Sequence, residues 1–109
     1  PQPAGAAPAS GSALTSVSAV SVGGGRQVID PVTQTPAWVL QLQPGQITAF
    51  DATCPHQGCT VNFVSAGVGF ACPCHGSRFD AQGKLLAGPA SRNLTPIAVM
   101  VSNGTVRTH

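Results

Sequence analysis

From Leu14 onward the chain alternates short apolar runs with turn residues, and the apolar runs predict strands at 16–20, 26–30, 37–42, 47–51, 61–64, 68–71, 77–79, 84–86, 97–101 and 105–107. In Ala37-Trp38-Val39-Leu40-Gln41-Leu42, the residues Trp38, Leu40 and Leu42 share one face. That period of two marks a strand with one face toward a core. Gln43-Pro44-Gly45-Gln46 fits a type II turn, with Pro presetting φ at the second position and Gly supplying a positive φ at the third. Asn103-Gly104, between two Val-rich runs, is a hairpin signal, because both central residues of a type I′ turn need φ > 0. Ser65-Ala66-Gly67 and Asp80-Ala81-Gln82-Gly83 punctuate the other strand-like runs. No window carries a sustained helical period with caps, and no internal repeat is evident. The expected fold class is all-β, a small antiparallel sandwich or barrel.

Composition narrows the function classes. The 109 residues suffice for one domain. Only 7% are charged, against roughly 25% in a typical soluble protein. The 13 Gly and 10 Pro suit turns rather than long helices. No apolar run approaches the ~20 residues of a membrane helix, so no membrane span is expected in this chain. The net charge of +2 comes from five scattered basic residues. Without a basic run to track phosphates, nucleic acid is not an expected partner. Asp30, Asp51 and Asp80 are too scattered to nominate a carboxylate pair, and neither a G-x-S-x-G elbow nor a phosphate loop occurs, so no catalytic site of its own is expected. Residues 1–12 contain only Pro, Ala, Gly, Ser and Gln. Nothing there is large enough to bury, which predicts a linker over residues 1–13 and a folded domain over 14–109. The stretch has neither the basic start nor the apolar middle of a signal peptide, so an export signal or anchor is expected upstream.

The chemistry is concentrated elsewhere. All four Cys and two of the three His fall between residues 54 and 75, in Cys54-Pro55-His56-Gln57-Gly58-Cys59 and Cys72-Pro73-Cys74-His75-Gly76-Ser77. Each segment follows a predicted strand. The 15 residues between His56 and Cys72 leave room for one hairpin that would set the two loops side by side. Thiolates favour soft or borderline metals, and imidazole suits Zn, Cu and Fe. The residue types alone permit a Cys₂His₂ zinc site, an iron–sulfur site or two disulfides. His109, at the end of the chain, reads as a terminus rather than a ligand.

The spacing C-x-H-x₂-C, then C-x-C-H-G-S, resembles the two cluster-binding boxes of Rieske iron–sulfur proteins, and most of all their disulfide-bearing, high-potential branch. The resemblance is dense over residues 52–92. It implies one [2Fe–2S] cluster with Cys54 and Cys72 on one iron and His56 and His75 on the other. It implies a Cys59–Cys74 disulfide clamping the two loops, and Ser77 as a hydroxyl donor to a bridging sulfide. Gly88-Pro89-Ala90 resembles the loop that covers the cluster on its third side. Phe79 departs from the pattern, because high-potential members often carry a Tyr there that donates to a ligating sulfur. A lower potential than in Tyr-bearing relatives is therefore expected. The family's activity is one-electron transfer, so the expected partner is a redox protein or a membrane quinol-oxidising complex. A persistent disulfide suits an oxidising compartment, so the expected location is the periplasm or the outer face of the cell membrane, with tethering through an upstream segment. The short chain favours a small exported protein over the head of a cytochrome bc-type complex, whose base domains usually carry larger insertions. The contrasting reading is a binding module held together by zinc or disulfides, with no redox role.

Overall fold

Antiparallel pairing runs through every ladder, and turn chemistry explains much of it. Asn103 and Gly104 take φ of 51° and 77°, the left-handed pair that a type I′ turn requires, and join Val99–Ser102 to Thr105–Thr108. Gly45 takes φ 78° in the turn between Thr35–Gln43 and Gln46–Asp51. The computed structural model describes residues 12–54, 58–74 and 76–109. The linker expected over 1–13 therefore falls almost entirely outside the described residues, although Ala13 already opens the first strand.

In chain order the strands are β1 (Ala13–Ser16), β2 (Gly24–Asp30), β3 (Thr35–Gln43), β4 (Gln46–Asp51), β5 (Asn62–Ser65), β6 (Gly69–Ala71), β7 (Arg78–Phe79), β8 (Leu85–Ala87), β9 (Val99–Ser102) and β10 (Thr105–Thr108). Among the described residues they form three sheets, ordered β9-β10-β1, β2-β3-β4 and β5-β6-β7-β8. The all-β antiparallel expectation holds. The first strand is a correction to the sequence reading: a strand was expected at 16–20, whereas β1 ends at Ser16 and Val17–Ala19 form a 3₁₀ turn. The apolar positions Val17 and Val20 pack into the core from that turn, so their spacing carries no strand period.

Two apolar cores flank the central sheet. One gathers Val20, Val39, Ala49 and Val106 between the two three-stranded sheets. The other gathers Leu40, Phe50, Val61, Phe70, Phe79 and Leu94, with Trp38, Phe63 and Leu85 packed at its edge, between the central sheet and the four-stranded one. β3 serves both. Trp38, Leu40 and Leu42 face the second core, as the period of two predicts. The opposite face is buried as well: Ala37 and Val39 are fully covered, and Gln41 is 6% exposed. One core-facing side was expected and two are found. Gln41 is tolerated there because its side-chain N–H donates to Val20 O at 2.6 Å and its Oε1 accepts from Gly45 N–H at 2.9 Å. The segment after Leu94 closes against β4, where Asp51 N–H donates to Thr95 O and Ile97 N–H to Ala49 O.

The four-stranded sheet is joined to this base by few but well-placed contacts. Trp38 Nε1–H donates to Val61 O at 2.9 Å. The Trp38 ring lies 6.0 Å from Phe63 and 6.4 Å from Phe70, and Phe50 meets Phe70 edge-on at 5.9 Å. Such tilted pairs add about 0.5–1.5 kcal/mol each beyond area burial. This joint fixes the site-bearing loops relative to the base.

Candidate metal centre

Two loops project from the ends of these strands, and they are built alike. In the first, Cys54 N–H donates to Cys59 O at 2.6 Å and Gly58 N–H returns to Cys54 O at 2.9 Å. In the second, Cys72 N–H donates to Ser77 O at 2.8 Å and Gly76 N–H returns to Cys72 O at 3.0 Å. Gly58 and Gly76 take φ of 77° and 80°, the left-handed conformation that closes each turn at no cost to a side chain. At their described residues the two loops share one pattern of backbone bonds and glycine conformation. The sequence carries the signal as Cys-Pro-x-x-Gly at 54–58 and again at 72–76. No internal repeat was expected, because a five-residue match is too short to register as a structural period.

The loops are covalently joined. Cys59 and Cys74 form a disulfide with Cα atoms 6.5 Å apart. The pairing implied by the family resemblance is the one the structure has. Cys54 and Cys72, at the same place in each loop, are free thiols, 2% and 3% exposed. Both belong to the second apolar core. The sulfurs of Cys59, Cys72 and Cys74 lie within 4.8 Å of one another. Two of those three are bonded together, so the trio offers one thiol. The free donors among the described residues are Cys54 and Cys72, and His56 and His75 lie outside the described residues.

The segment expected to cover the site is tied to the second loop. Ser77 is fully buried, and its Oγ accepts a hydrogen bond from Ala90 N–H at 3.0 Å. Gly88 and Pro89 are exposed, joined by a cis peptide bond, while Ala90 is buried. The Gly88-Pro89-Ala90 loop is therefore pinned to the second cysteine loop through one hydroxyl. Sequence reasoning did not anticipate this contact, since nothing in the spacing of residues 77 and 90 marks it. Phe79 is fully buried in β7, opposite Phe70 and Leu85.

The donor set fits a [2Fe–2S] group of the two-Cys, two-His kind. Two buried thiols free of the disulfide, one per loop, match its sulfur ligands. The sequence places a His in each of the same two loops. Coordination by Cys59 and Cys74 is ruled out by their bond to each other.

Comparison with known proteins agrees. Residues 14–102 match the family model of the Rieske [2Fe-2S] domain. The cytochrome b6-f complex iron-sulfur subunit of Parasynechococcus marenigrum (strain WH8102) is 36% identical over 85 residues, covering 76% of this chain and 48% of that protein. The chain thus spans about half the length of the curated relatives it matches. The cyanobacterial plasma membrane Rieske protein from Synechocystis PCC 6803 is 39% identical, with a TM-score of 0.66, over 76% of this chain and 85% of its own. The Sphingomonas yanoikuyae B1 ferredoxin, at 22% identity and a TM-score of 0.72 over 90% of this chain and 96% of its own, shares the fold.

Proposed function

The chain belongs to the Rieske [2Fe–2S] domain family, and from that premise we propose that it passes single electrons in an extracytoplasmic redox chain, as a small soluble or membrane-tethered domain. The observation that carries the reading is the pair of cysteine loops, each holding one buried cysteine outside the disulfide that joins them.

The bound [2Fe–2S] group supplies one-electron exchange, at a potential raised over all-Cys clusters because neutral imidazoles leave less negative charge on one iron. The residues of the chain do the rest. Cys54 and Cys72 would hold one iron as thiolates, shielded from water by Phe70, Ala90 and Leu94 in the same core. His56 and His75 would hold the other. Ser77 Oγ, already accepting from Ala90 N–H, keeps its own proton, which it would donate toward the cluster. The Cys59–Cys74 bond holds the loops in register. The same bond supports an oxidising location.

A second reading is the head of a quinol-oxidising cytochrome bc-type complex. It is supported by the 36% identity to a cytochrome b6-f complex iron-sulfur subunit. The smaller-protein reading is supported by the match to 85% of the Synechocystis plasma membrane protein. Affinity purification from native membranes separates them: a lone chain favours the small carrier, and recovery with a b-type cytochrome and quinol oxidation favours the complex.

Anaerobic purification followed by iron and sulfide assay and reduced-state EPR tests the core claim. The expected result is about two iron and two sulfide per chain and a potential within roughly −150 to +300 mV. Cys54→Ser and Cys72→Ser should each abolish the signal. A colourless, EPR-silent, zinc-loaded protein would overturn the reading in favour of a structural module.

A further inference from the structure

The chain carries few charges, and the fold distributes them unevenly. Its only carboxylates, Asp30, Asp51 and Asp80, are each engaged in a turn. Asp30 Oδ1 accepts from Val32 N–H at 2.9 Å, Asp51 Oδ1 from Thr53 N–H at 2.8 Å, and Asp80 Oδ1 from the N–H groups of Gln82 and Lys84 at 2.9 Å each. Three of the five cations, Arg78, Lys84 and Arg92, fall within residues 78–92 with one carboxylate, Asp80, so that segment carries a charge of +2.

These three cations lie on or beside the β7–β8 hairpin. Arg78 pairs with Ala87 across β7 and β8. On the other flank, Leu94 N–H donates to Gly83 O and Leu85 N–H to Asn93 Oδ1, which lays the Arg92 segment along Lys84. The ladder is irregular between Arg78 and Phe79, and Leu86 stands out there, 57% exposed. Ala87, Gly88 and Pro89 continue the exposed apolar strip toward the covering loop. Arg78, Lys84 and Arg92 are exposed, and none makes an ion pair with a described residue. Arg78 also adjoins Ser77, which is buried beside the cysteine loops.

An apolar centre with a charged rim is the layout of a protein-docking patch, in which the centre supplies contact and the rim steers encounter. We propose that the β8 face, which exposes Leu86 and has Arg78, Lys84 and Arg92 exposed on and beside it, is where this protein docks an electron-transfer protein whose own docking face is acidic. The proposal rests on the electron-transfer reading.

The test uses the reduced, cluster-loaded protein in stopped flow against hexacyanoferrate(III), an anionic oxidant, and tris(phenanthroline)cobalt(III), a cationic one. Arg78→Gln and Arg92→Gln should each slow the anion reaction about threefold at low ionic strength, with the difference vanishing at high salt. Arg26→Gln, an equal change in net charge, should leave it within about 1.5-fold. None of the three should slow the cation. Equal slowing by Arg26→Gln, or no salt dependence, would overturn the patch. A readout independent of the cluster is elution from a carboxylate resin. There Arg78→Gln and Arg92→Gln should elute at lower salt than Arg26→Gln, and coincident elution would also overturn the patch. A protein lacking the EPR signal defeats the electron-transfer reading, while the resin comparison still decides the surface. Sedimentation with anionic phospholipid vesicles that is lost in both patch variants would overturn the choice of a protein partner.

Discussion

Ser77 connects two parts of the site through one oxygen. Its Oγ accepts from Ala90 N–H, which fixes the hydroxyl while leaving its proton to be donated. Ser77→Ala removes the link to Ala90 and, with it, the donor proposed for the cluster. A hydrogen bond to a charged group contributes about 1.5–3 kcal/mol, and for one electron 1.36 kcal/mol corresponds to about 59 mV. A fall in midpoint potential of roughly 60–130 mV is therefore expected by redox titration, together with faster amide exchange at Ala90. An unchanged potential would remove the serine from the cluster's environment. Phe79 poses the opposite question. It is fully buried between Phe70 and Leu85, so its ring is core whatever else it does. Phe79→Tyr adds a donor with no water to satisfy it, and the new hydroxyl has to find a polar partner nearby. If that partner is a ligating sulfur, the potential rises; an equal or lower potential, measured with the fold intact by circular dichroism, would sink the argument.

The two cysteine loops and their disulfide act together as an element. Each loop is closed by its own pair of backbone hydrogen bonds, so each holds its shape locally. The link across them is the disulfide, with a sequence separation of 15. A loop of that length corresponds to about 3 kcal/mol of stabilisation in the chain-entropy model. Replacing Cys59 and Cys74 together by Ser should lower unfolding free energy by about that amount in urea titrations. Visible absorbance from the cluster should also decay faster on storage, because the loops can then separate while each remains folded. Loss of stability with an unchanged decay rate would mean that the covering loop, not the disulfide, holds the site closed. Much of this element was legible beforehand. Six Cys and His residues in two short boxes allow few arrangements. The repeated loop geometry was not legible, since it depends on backbone bonds from Cys54 and Cys72 rather than on their side chains.

At the scale of the molecule, β3 ties the site to the base. Val39 lies in one core and Leu40 in the other, so neither core can loosen without disturbing the strand they share. One cooperative unfolding transition is expected, with Trp38 fluorescence and far-UV circular dichroism coinciding. Val39→Ala, in the core remote from the cysteines, should lower stability by roughly 1–3 kcal/mol and shift both probes together. Separate shifts would show that base and site unfold as independent units.

Local chemistry determined a good deal here. The turns at Asn103-Gly104 and Pro44-Gly45, the strand run of β4 and the crowding of Cys and His into two boxes are all properties of a few neighbouring residues, and they survive into the fold. Even the pairing of Cys59 with Cys74 follows from family resemblance carried by the spacing. Tertiary structure decided what depends on distant segments meeting. The second face of β3 is buried because two sheets sandwich it, and no alternation of polar and apolar residues along one strand can announce that. Ser77 finds Ala90 only because β7 and β8 run back on each other. The charge count of +2 and the scatter of the five basic residues were plain from the sequence. Only the fold turns three carboxylates to neighbouring backbone N–H groups and sets Arg78 across from Ala87 beside the exposed Leu86, because pairing across strands, not distance along the chain, sets which residues are neighbours.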